Sequence, residues 1–388
     1  MIYVGIDVAK KKHDCYIVNS DGEVIKDVFT ISNSREGFDK LFDAIPKDSL
    51  DKVKVGLEAT GHYSTNIVNF INDKQFPLVI FNPLQTNLFR KAQTLRKSKT
   101  DKIDARLIAL MLHMGDFKPY SSSSYQLSEL KSLTRHKSRL KENMARYKIH
   151  LIRIMDIMFP ELESHVYSLN QASTYMLLKT FGSKDAIASA HITKLTNILK
   201  KASNGKYSRE KALIIKNAAQ NSIGYDSKAL SFELSQILNF ITIYTNEIKS
   251  IEKEIKIIVD ELDSPLLSIP GISYGLGSVI LSEINDIHQF STPSKLLAFA
   301  GLEPSTFESG QFVATNMKMV KRGSSYLRWA LLEAARLVAM RDKTFHDYYH
   351  KKKAEGKHHY VANSHVAKKL VRVIHHLLTN NLTFKPQN

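Results

Sequence analysis

One cysteine, Cys15, stands among 388 residues. That excludes an internal disulfide framework and a cysteine-based zinc site, and it suits a reducing cytoplasm. The chain lacks any uninterrupted apolar run of about 18 residues and any charged-then-apolar leader, so neither membrane insertion nor export is expected. Acidic residues are scarce beside basic ones: 38 Asp+Glu against 55 Lys+Arg, a formal charge of +17. Glycine-rich phosphate loops are missing too. Val8-Ala9 follow Asp7 where a sugar kinase or actin-like ATPase wants an early glycine, which counts against that class.

What is present is concentrated. Residues 51–150 carry 18 Lys+Arg against 8 Asp+Glu, and residues 301–388 carry 15 against 6. Two basic blocks imply a polyanionic partner, and with a membrane surface set aside the fitting polyanion is a nucleic-acid backbone. One hydrophobic core rarely grows past about 250 residues, so the chain should hold two or three domains. The expected divisions are an α/β domain over 1–120, a helical region over 121–262 opening on the serine run 121–124, a second helical domain over 263–345, and a basic helical tail over 346–388.

The order of elements narrows the first domain. Strands are predicted at 2–8, 13–19 and 23–30, a helix near 35–45, a strand at 53–58, a helix near 62–74, a strand at 77–81 and helical segments from about 84 to 114. Three antiparallel strands followed by strand–helix alternation is the order of a ribonuclease H-like fold, a mixed sheet with helices on its faces. Four acids fall at the ends of these elements. Asp7 closes the first strand, Glu58 closes the fourth, and Asp101 and Asp104 open a helix, three apart on one face. A carboxylate ending an apolar strand is costly without a neutralising partner. Carboxylate oxygens with open positions suit Mg²⁺, and paired ions about 4 Å apart support phosphoryl transfer. Plainer readings stand beside this: Asp101 also fits a capping box with Ser98, and Glu58 could pair with a local lysine.

Two long helical patterns follow, over 126–158 and 228–262, with apolar residues spaced three, four and seven apart as in a coiled coil. They could run antiparallel as an oligomerising arm. Arg135, Lys137, Arg139, Lys141, Arg146 and Lys148 are expected on the outer face of the first. Ile269-Pro270-Gly271-Ile272 resembles a helix-hairpin-helix turn, whose amides can hold phosphate, though a plain helix–turn–helix pair is the better-favoured reading of so short a motif. The stretch 301–310 reads as a loop and 326–340 as a helix. His358, His359 and His365 lack cysteine partners and read as solvated or phosphate-contacting rather than zinc ligands.

Gly5-Ile-Asp7-Val-Ala-Lys10, Leu57-Glu58-Ala-Thr60-Gly61, Lys97-Ser-Lys-Thr-Asp101-Lys-Ile-Asp104-Ala105, Ile269-Pro-Gly-Ile272, Phe299-Ala-Gly-Leu302, Ser309-Gly310 and Lys321-Arg-Gly323 with Leu327-Arg328 follow one another in a characteristic order. Together they resemble the DEDD transposases of insertion sequences that carry a second, serine-bearing domain, the bridge-RNA-guided recombinases. The resemblance implies an amino-terminal domain similar to Holliday-junction resolvases, with Asp7, Glu58, Asp101 and Asp104 as its four acids holding Mg²⁺ or Mn²⁺. It implies a nucleophilic serine at the position of Ser309, and a tetramer, a dimer of dimers, joined through a helical coiled coil. It further implies a guide RNA that pairs with double-stranded donor and target DNA, in the cytoplasm of a prokaryote at its nucleoid. Glu308 stands where some relatives carry a second serine, so Ser309 is the only match of that pair, and Ser305, Ser324 and Ser325 are rival hydroxyls. Lys321, Arg322 and Arg328 are expected at phosphates. The alternative is a metal-dependent, structure-specific DNA endonuclease without a covalent serine intermediate.

Overall fold

In Ile2–Val8 (β1) and Val53–Glu58 (β4) alternate residues are apolar, and the alternation sorts them to two sides of one sheet. The structure is a computed structural model and describes residues 1–58, 61–81, 83–93, 101–115, 117, 125–303, 308–309, 312–313 and 319–386. It forms two compact units, Met1–Ser122 and Ser123–Asn388.

In the first unit β1 pairs antiparallel with Lys12–Asn19 (β2), which pairs antiparallel with Val24–Ser32 (β3). Strand β4 and Leu78–Phe81 (β5) run parallel to β1, giving the strand order β3-β2-β1-β4-β5. The first and fourth strands are therefore neighbours, as their acids require. Helices Arg35–Asp43 (α1) and Thr65–Asp73 (α2) contribute Phe38, Leu41, Ile67 and Ile71 to a core with Val4, Ile6, Val55 and Leu57. The buried Cys15 belongs to that core, and burial pushes its thiol pKa up. The helical segments expected from about 84 to 114 are Pro83–Gln93 (α3) and Asp101–Met114 (α4) among the described residues. On the opposite side of the sheet from that core, Val79 and Phe81 pack against Leu107, Ile108, Met111 and Leu112 of α4.

Among its described residues the second unit is helical apart from one short antiparallel strand pairing. Helices Tyr125–Met158 (α5) and, later in the chain, Lys228–Leu262 touch through Gln126–Glu261, Lys137–Glu252, Met144–Thr245 and Arg153–Glu233. One partner number rises as the other falls, so the two helices lie antiparallel along their whole length. Between them come Leu162–His165 (α6), Ala172–Phe181 (α7), Lys184–Ser189 (α8), Ile192–Ala202 (α9) and Arg209–Gln220 (α10), which makes Lys228–Leu262 α11. These short helices close a core with the far end of the pair, through Leu151, Met155, Leu177, Leu195, Ile215 and Leu238.

Tyr274–Ile284 (α12), Pro293–Phe299 (α13), Ser325–Arg341 (α14), Lys343–Ala354 (α15) and His359–Asn380 (α16) build the remainder. One continuous core, from Leu130 and Ile255 through Ile280 and Leu331 to Ile374, joins the near end of the pair to these helices. The stretch read as a loop around 309 holds instead a short antiparallel pairing of Glu308–Ser309 (β6) with Phe312–Val313 (β7), Ser309 opposite Phe312. Phe312 and Val313 favour extended backbone.

Candidate active site

The last pair of the β1–β4 ladder is Ile6 with Leu57, so Asp7 and Glu58 come next on adjacent parallel strands. Two residues earlier, Gly5 and Gly56 are paired as well. A Cβ on Gly5 would lie 2.2 Å from the Ala105 carbonyl and 2.5 Å from the Ala109 amide, and one on Gly56 would lie 2.7 Å from Leu112 Cδ1. Helix α4 thus rests directly on the bare backbone of both strands. Side chains two apart share a face of a strand, so Asp7 and Glu58 lie on the α4 side of the sheet. Asp104 sits in that helix one residue before Ala105, the first contact with Gly5.

The remaining geometry fixes individual carboxylates. Thr86 of α3 donates its hydroxyl to Glu58 Oε2 at 2.8 Å. Arg90 of the same helix donates from Nη1 to Asp104 Oδ1 at 3.2 Å and from Nη2 to Asn87 Oδ1 at 2.9 Å. Glu58 and Asp104 share the lining of a cavity of about 210 Å³ with Thr86, Asn87, Arg90 and Leu107. Asp101 is the first residue of α4, but its side chain lies outside the described residues. Among the described residues no three carboxylates, histidines or cysteines converge closely enough to hold a metal ion. The donor set still fits one by its chemistry. It consists of hard carboxylate oxygens at the open end of a sheet, which is what Mg²⁺ takes.

Sequence reasoning passed over three residues here. Asp14 is paired directly opposite Asp7 across β1 and β2, hence on the same face. It is 6% exposed, and its Oδ1 accepts a hydrogen bond from Thr30 of β3. A single acid in a strand was the available signal. Thr86 and Arg90 gave none, because their partners lie 28 and 14 residues away.

In the second unit Lys321 and Arg322 are exposed. Arg328 is half-buried and donates to the Ala300 carbonyl at 3.3 Å, which gives it a structural task. With the backbone bonds Lys321 N to Gly301 O and Val320 N to Glu303 O, that clasp closes the neck of the segment containing Ser309. The Ser309 side chain itself lies outside the described residues, as do Ser305 and its surroundings. Ser324 is committed: its hydroxyl donates to Glu283 Oε2 and its Oγ accepts from the Leu327 amide at the start of α14.

Two basic residues expected on the outer face of α5 turn inward instead. Arg135 grips Glu283 at 2.7 and 3.0 Å, and the buried Lys137 faces Glu252 at 3.8 Å. The helix packs against α12 and α11 on that side, so Lys137 is covered by protein and Arg135 partly so. Gly271 packs its backbone on Leu337 of α14, and α12 is buried from Leu276 to Ile284, so this turn builds the core. His359 accepts or donates a 2.7 Å hydrogen bond with Tyr349.

Residues 4–160 match the DEDD transposase family of IS110, described as "Transposase", and residues 263–350 match "Transposase IS116/IS110/IS902 family". The chain is similar to the 44.8 kDa protein of insertion element IS116 from Streptomyces clavuligerus, 25% identical over 99% of this chain and 96% of that one. It is similar to the transposase for insertion sequence element IS1111A of Coxiella burnetii, 33% identical over 24% of each. Among solved structures, Thermus thermophilus RuvC in complex with a Holliday junction substrate matches 31% of this chain and all of that one. That match is 14% identical with a TM-score of 0.22, a likeness too slight to bear on the chemistry. A mixed α/β domain with strand-end acids, followed by a helical transposase domain, defines an insertion-sequence transposase. In particular, the chain belongs to the IS110/IS116 transposases, with both of that family's domains in order. Among the described residues no helix is long and apolar enough to cross a membrane.

Proposed function

We propose that the protein is an RNA-guided DNA recombinase that cleaves, exchanges and rejoins strands of donor and target DNA. The observation that carries the reading is the placement of Asp7 and Glu58 on adjacent strand ends beneath the helix that bears Asp101 and Asp104. When bound there, Mg²⁺ or Mn²⁺ supplies Lewis-acid stabilisation of charge on the scissile phosphate. Asp7, Glu58, Asp101 and Asp104 would hold it, with Thr86 orienting Glu58.

Ser309 supplies the nucleophile. Its Oγ bonds to phosphorus as one P–O bond to deoxyribose breaks; the hydroxyl proton is given up and the departing sugar oxygen takes one. The phosphoserine ester keeps the bond energy, so a hydroxyl from the other duplex can attack it, reform a phosphodiester and restore the serine without ATP. The neck closed by Arg328 and Gly301 fixes where the segment carrying Ser309 begins and ends. The antiparallel pair α5 and α11 serves as a coiled-coil arm through which subunits of a tetramer share the acids and the serine. A guide RNA carries sequence specificity, and the basic blocks hold backbone phosphates.

The test is a denaturing gel of wild type, Ser309→Ala and Asp7→Ala with Mg²⁺, guide RNA and labelled donor and target DNA. Wild type should give a protein–DNA adduct that survives denaturation and is missing from Ser309→Ala, and Asp7→Ala should neither cut nor join. Cutting and joining by Ser309→Ala at the wild-type rate would sink the serine mechanism. Cutting without joining or adduct in wild type would instead favour the hydrolytic endonuclease.

A further inference from the structure

Three helices of the second unit leave between them a cleft of about 330 Å³, at the lower end of the range in which small ligands are held. Helix α14 lends it Arg336, α15 lends His346, Tyr349 and His350, and α16 lends His359 and Asn363. Four of these side chains are flat rings. His346 and His350, one helical turn apart, have centroids 4.2 Å apart, and Tyr349 meets His350 and His359 edge to face at 5.3 and 5.8 Å. A 2.7 Å hydrogen bond between the Tyr349 hydroxyl and His359 Nδ1 fixes both rings. The cleft also contains an acceptor with nothing to accept. Asn363 is 8% exposed, and its Nδ2 donates to the Leu332 carbonyl at 2.9 Å, which sets the orientation of the amide. Among the described residues its buried Oδ1 has no hydrogen-bond partner. Buried acceptors are nearly always paired, so a donor is owed to this one. Arg336 has Nε and Nη2 on Glu333, while Nη1 lies 3.8 Å from the weak acceptor Met340 Sδ. A metal ion suits the histidines poorly, since among the described residues no three such ligands converge.

We propose that this cleft holds one unpaired base of a nucleic-acid strand, stacked on the α15 rings and donating an N–H to Asn363 Oδ1. The inference rests on the nucleic-acid partner proposed above, and on neither Ser309 nor the four acids. Ring stacking accepts any base, but the base must first leave its own stack, which favours a single strand over a duplex. The orphan acceptor argues the same way. In a duplex the Watson–Crick N–H groups are committed to the opposite strand, whereas an unpaired base can offer one to Asn363. Lys351 and Lys353 follow His350 in the exposed last turn of α15 and supply charge for flanking phosphates. DNA and RNA strands share this chemistry.

The experiment measures full-length wild type, His346→Ala, His350→Ala and Asn363→Ala by fluorescence anisotropy, in EDTA and at one fixed salt concentration. The labelled probes are oligodeoxycytidylate, oligocytidylate, an abasic strand of equal length and charge, and a duplex of equal length. Phosphate contacts are common to the base-bearing and abasic strands, so the ratio of their affinities reports the base. In wild type that ratio should be about 5–150, the worth of one stacked base. Both histidine variants should lower it toward 1 with duplex affinity and melting temperature unchanged, and the larger of the deoxy and ribo ratios names the kind of strand held. Asn363→Ala should lower it too; if that variant does not fold, the two exposed histidines decide. A wild-type ratio kept in both histidine variants would overturn the inference, as would an equal loss of duplex and single-strand binding. A ratio that appears only when ZnCl₂ replaces EDTA would assign the rings to a metal and overturn it as well. Binding of neither strand nor duplex by wild type would instead sink the nucleic-acid reading on which the inference rests.

Discussion

At the scale of single residues, the acid cluster depends on atoms that are absent. Gly5 and Gly56 leave room for α4 to lie on the sheet, and a methyl at either position meets backbone or a packed leucine. Gly5→Ala places Cβ 2.2 Å from the Ala105 carbonyl, so α4 must lift and carry Asp104 with it. We expect Gly5→Ala to cost about 1–3 kcal/mol or more, as overpacking does, and to weaken cation binding as well. Gly22→Ala serves as the control. Its φ of +84° lies in the left-handed region and its Cβ would meet nothing within 4 Å, so about 1–2 kcal/mol of backbone strain is expected with cation binding untouched. Urea unfolding and Mn²⁺ titration of both variants separate the two effects; equal loss of binding in both would contradict the account of Gly5. The placement of Asp7 and Glu58 at strand ends and of Asp101 and Asp104 in the first turn of a helix was legible in the sequence, because a lone carboxylate stands out beside an apolar run. That Asp14 stands opposite Asp7 was not, since it depends on which residues two strands pair.

At the scale of elements, the buried carboxylate of Glu283 is the main polar joint of the second unit. It lies on α12 and is held by Arg135 from α5, with Lys131 at 3.8 Å and the Ser324 hydroxyl from the start of α14 at 2.8 Å. Burial alone would raise its pKa, but the hydrogen bond from Arg135, the charge of Lys131 and the Ser324 hydroxyl outweigh it and leave the group below the ordinary carboxylate range. Removing one partner of a buried pair costs about 3–5 kcal/mol. Arg135 is partly exposed and Lys131 remains nearby, so Arg135→Ala should fall at or below the low end of that range. The pH dependence has a definite sign. With its folded pKa depressed, Glu283 contributes stability that is complete above the unfolded value of about 4.3 and is lost as pH falls through the lower folded value. Denaturant melts at falling pH should therefore show wild type losing more stability below about pH 4.3 than Glu283→Gln does; parallel curves would contradict this. Sequence periodicity revealed both long helices, because their apolar stripes repeat over 30 residues or more. It could not reveal that Arg135 and Lys137 face inward. A basic residue on a helix looks solvated until α12 is seen to cover it.

At the scale of the whole molecule, the mixed sheet of the first unit could be read from the succession of elements, because a meander followed by strand–helix alternation allows few sheets, while the adjacency of β1 and β4 came from the structure. The short pairing at Ser309 could not, since two-residue strands have no periodicity. Net charge is the other whole-molecule property, and it must be discounted before it is used. Of the +17 formal charge, Arg135, Lys137 and Arg328 are spent on internal partners, whereas Lys321 and Arg322 stand exposed. Each phosphate neutralised releases counterions, and log K falls with log salt at about −0.9 per contact on duplex DNA. A protein making roughly 6–10 such contacts loses about 10³–10⁵ in affinity between 50 and 200 mM salt, and we expect duplex binding here to fall in that range. Lys321→Ala and Arg322→Ala should each reduce the slope by about 1 across unrelated sequences. Arg135→Ala should leave the slope alone while lowering stability, because its guanidinium already serves Glu283. Fluorescence anisotropy over a salt series measures all four proteins. A slope that changes in Arg135→Ala but not in Lys321→Ala or Arg322→Ala would place the phosphate-binding face on α5 rather than beside the neck of the Ser309 segment.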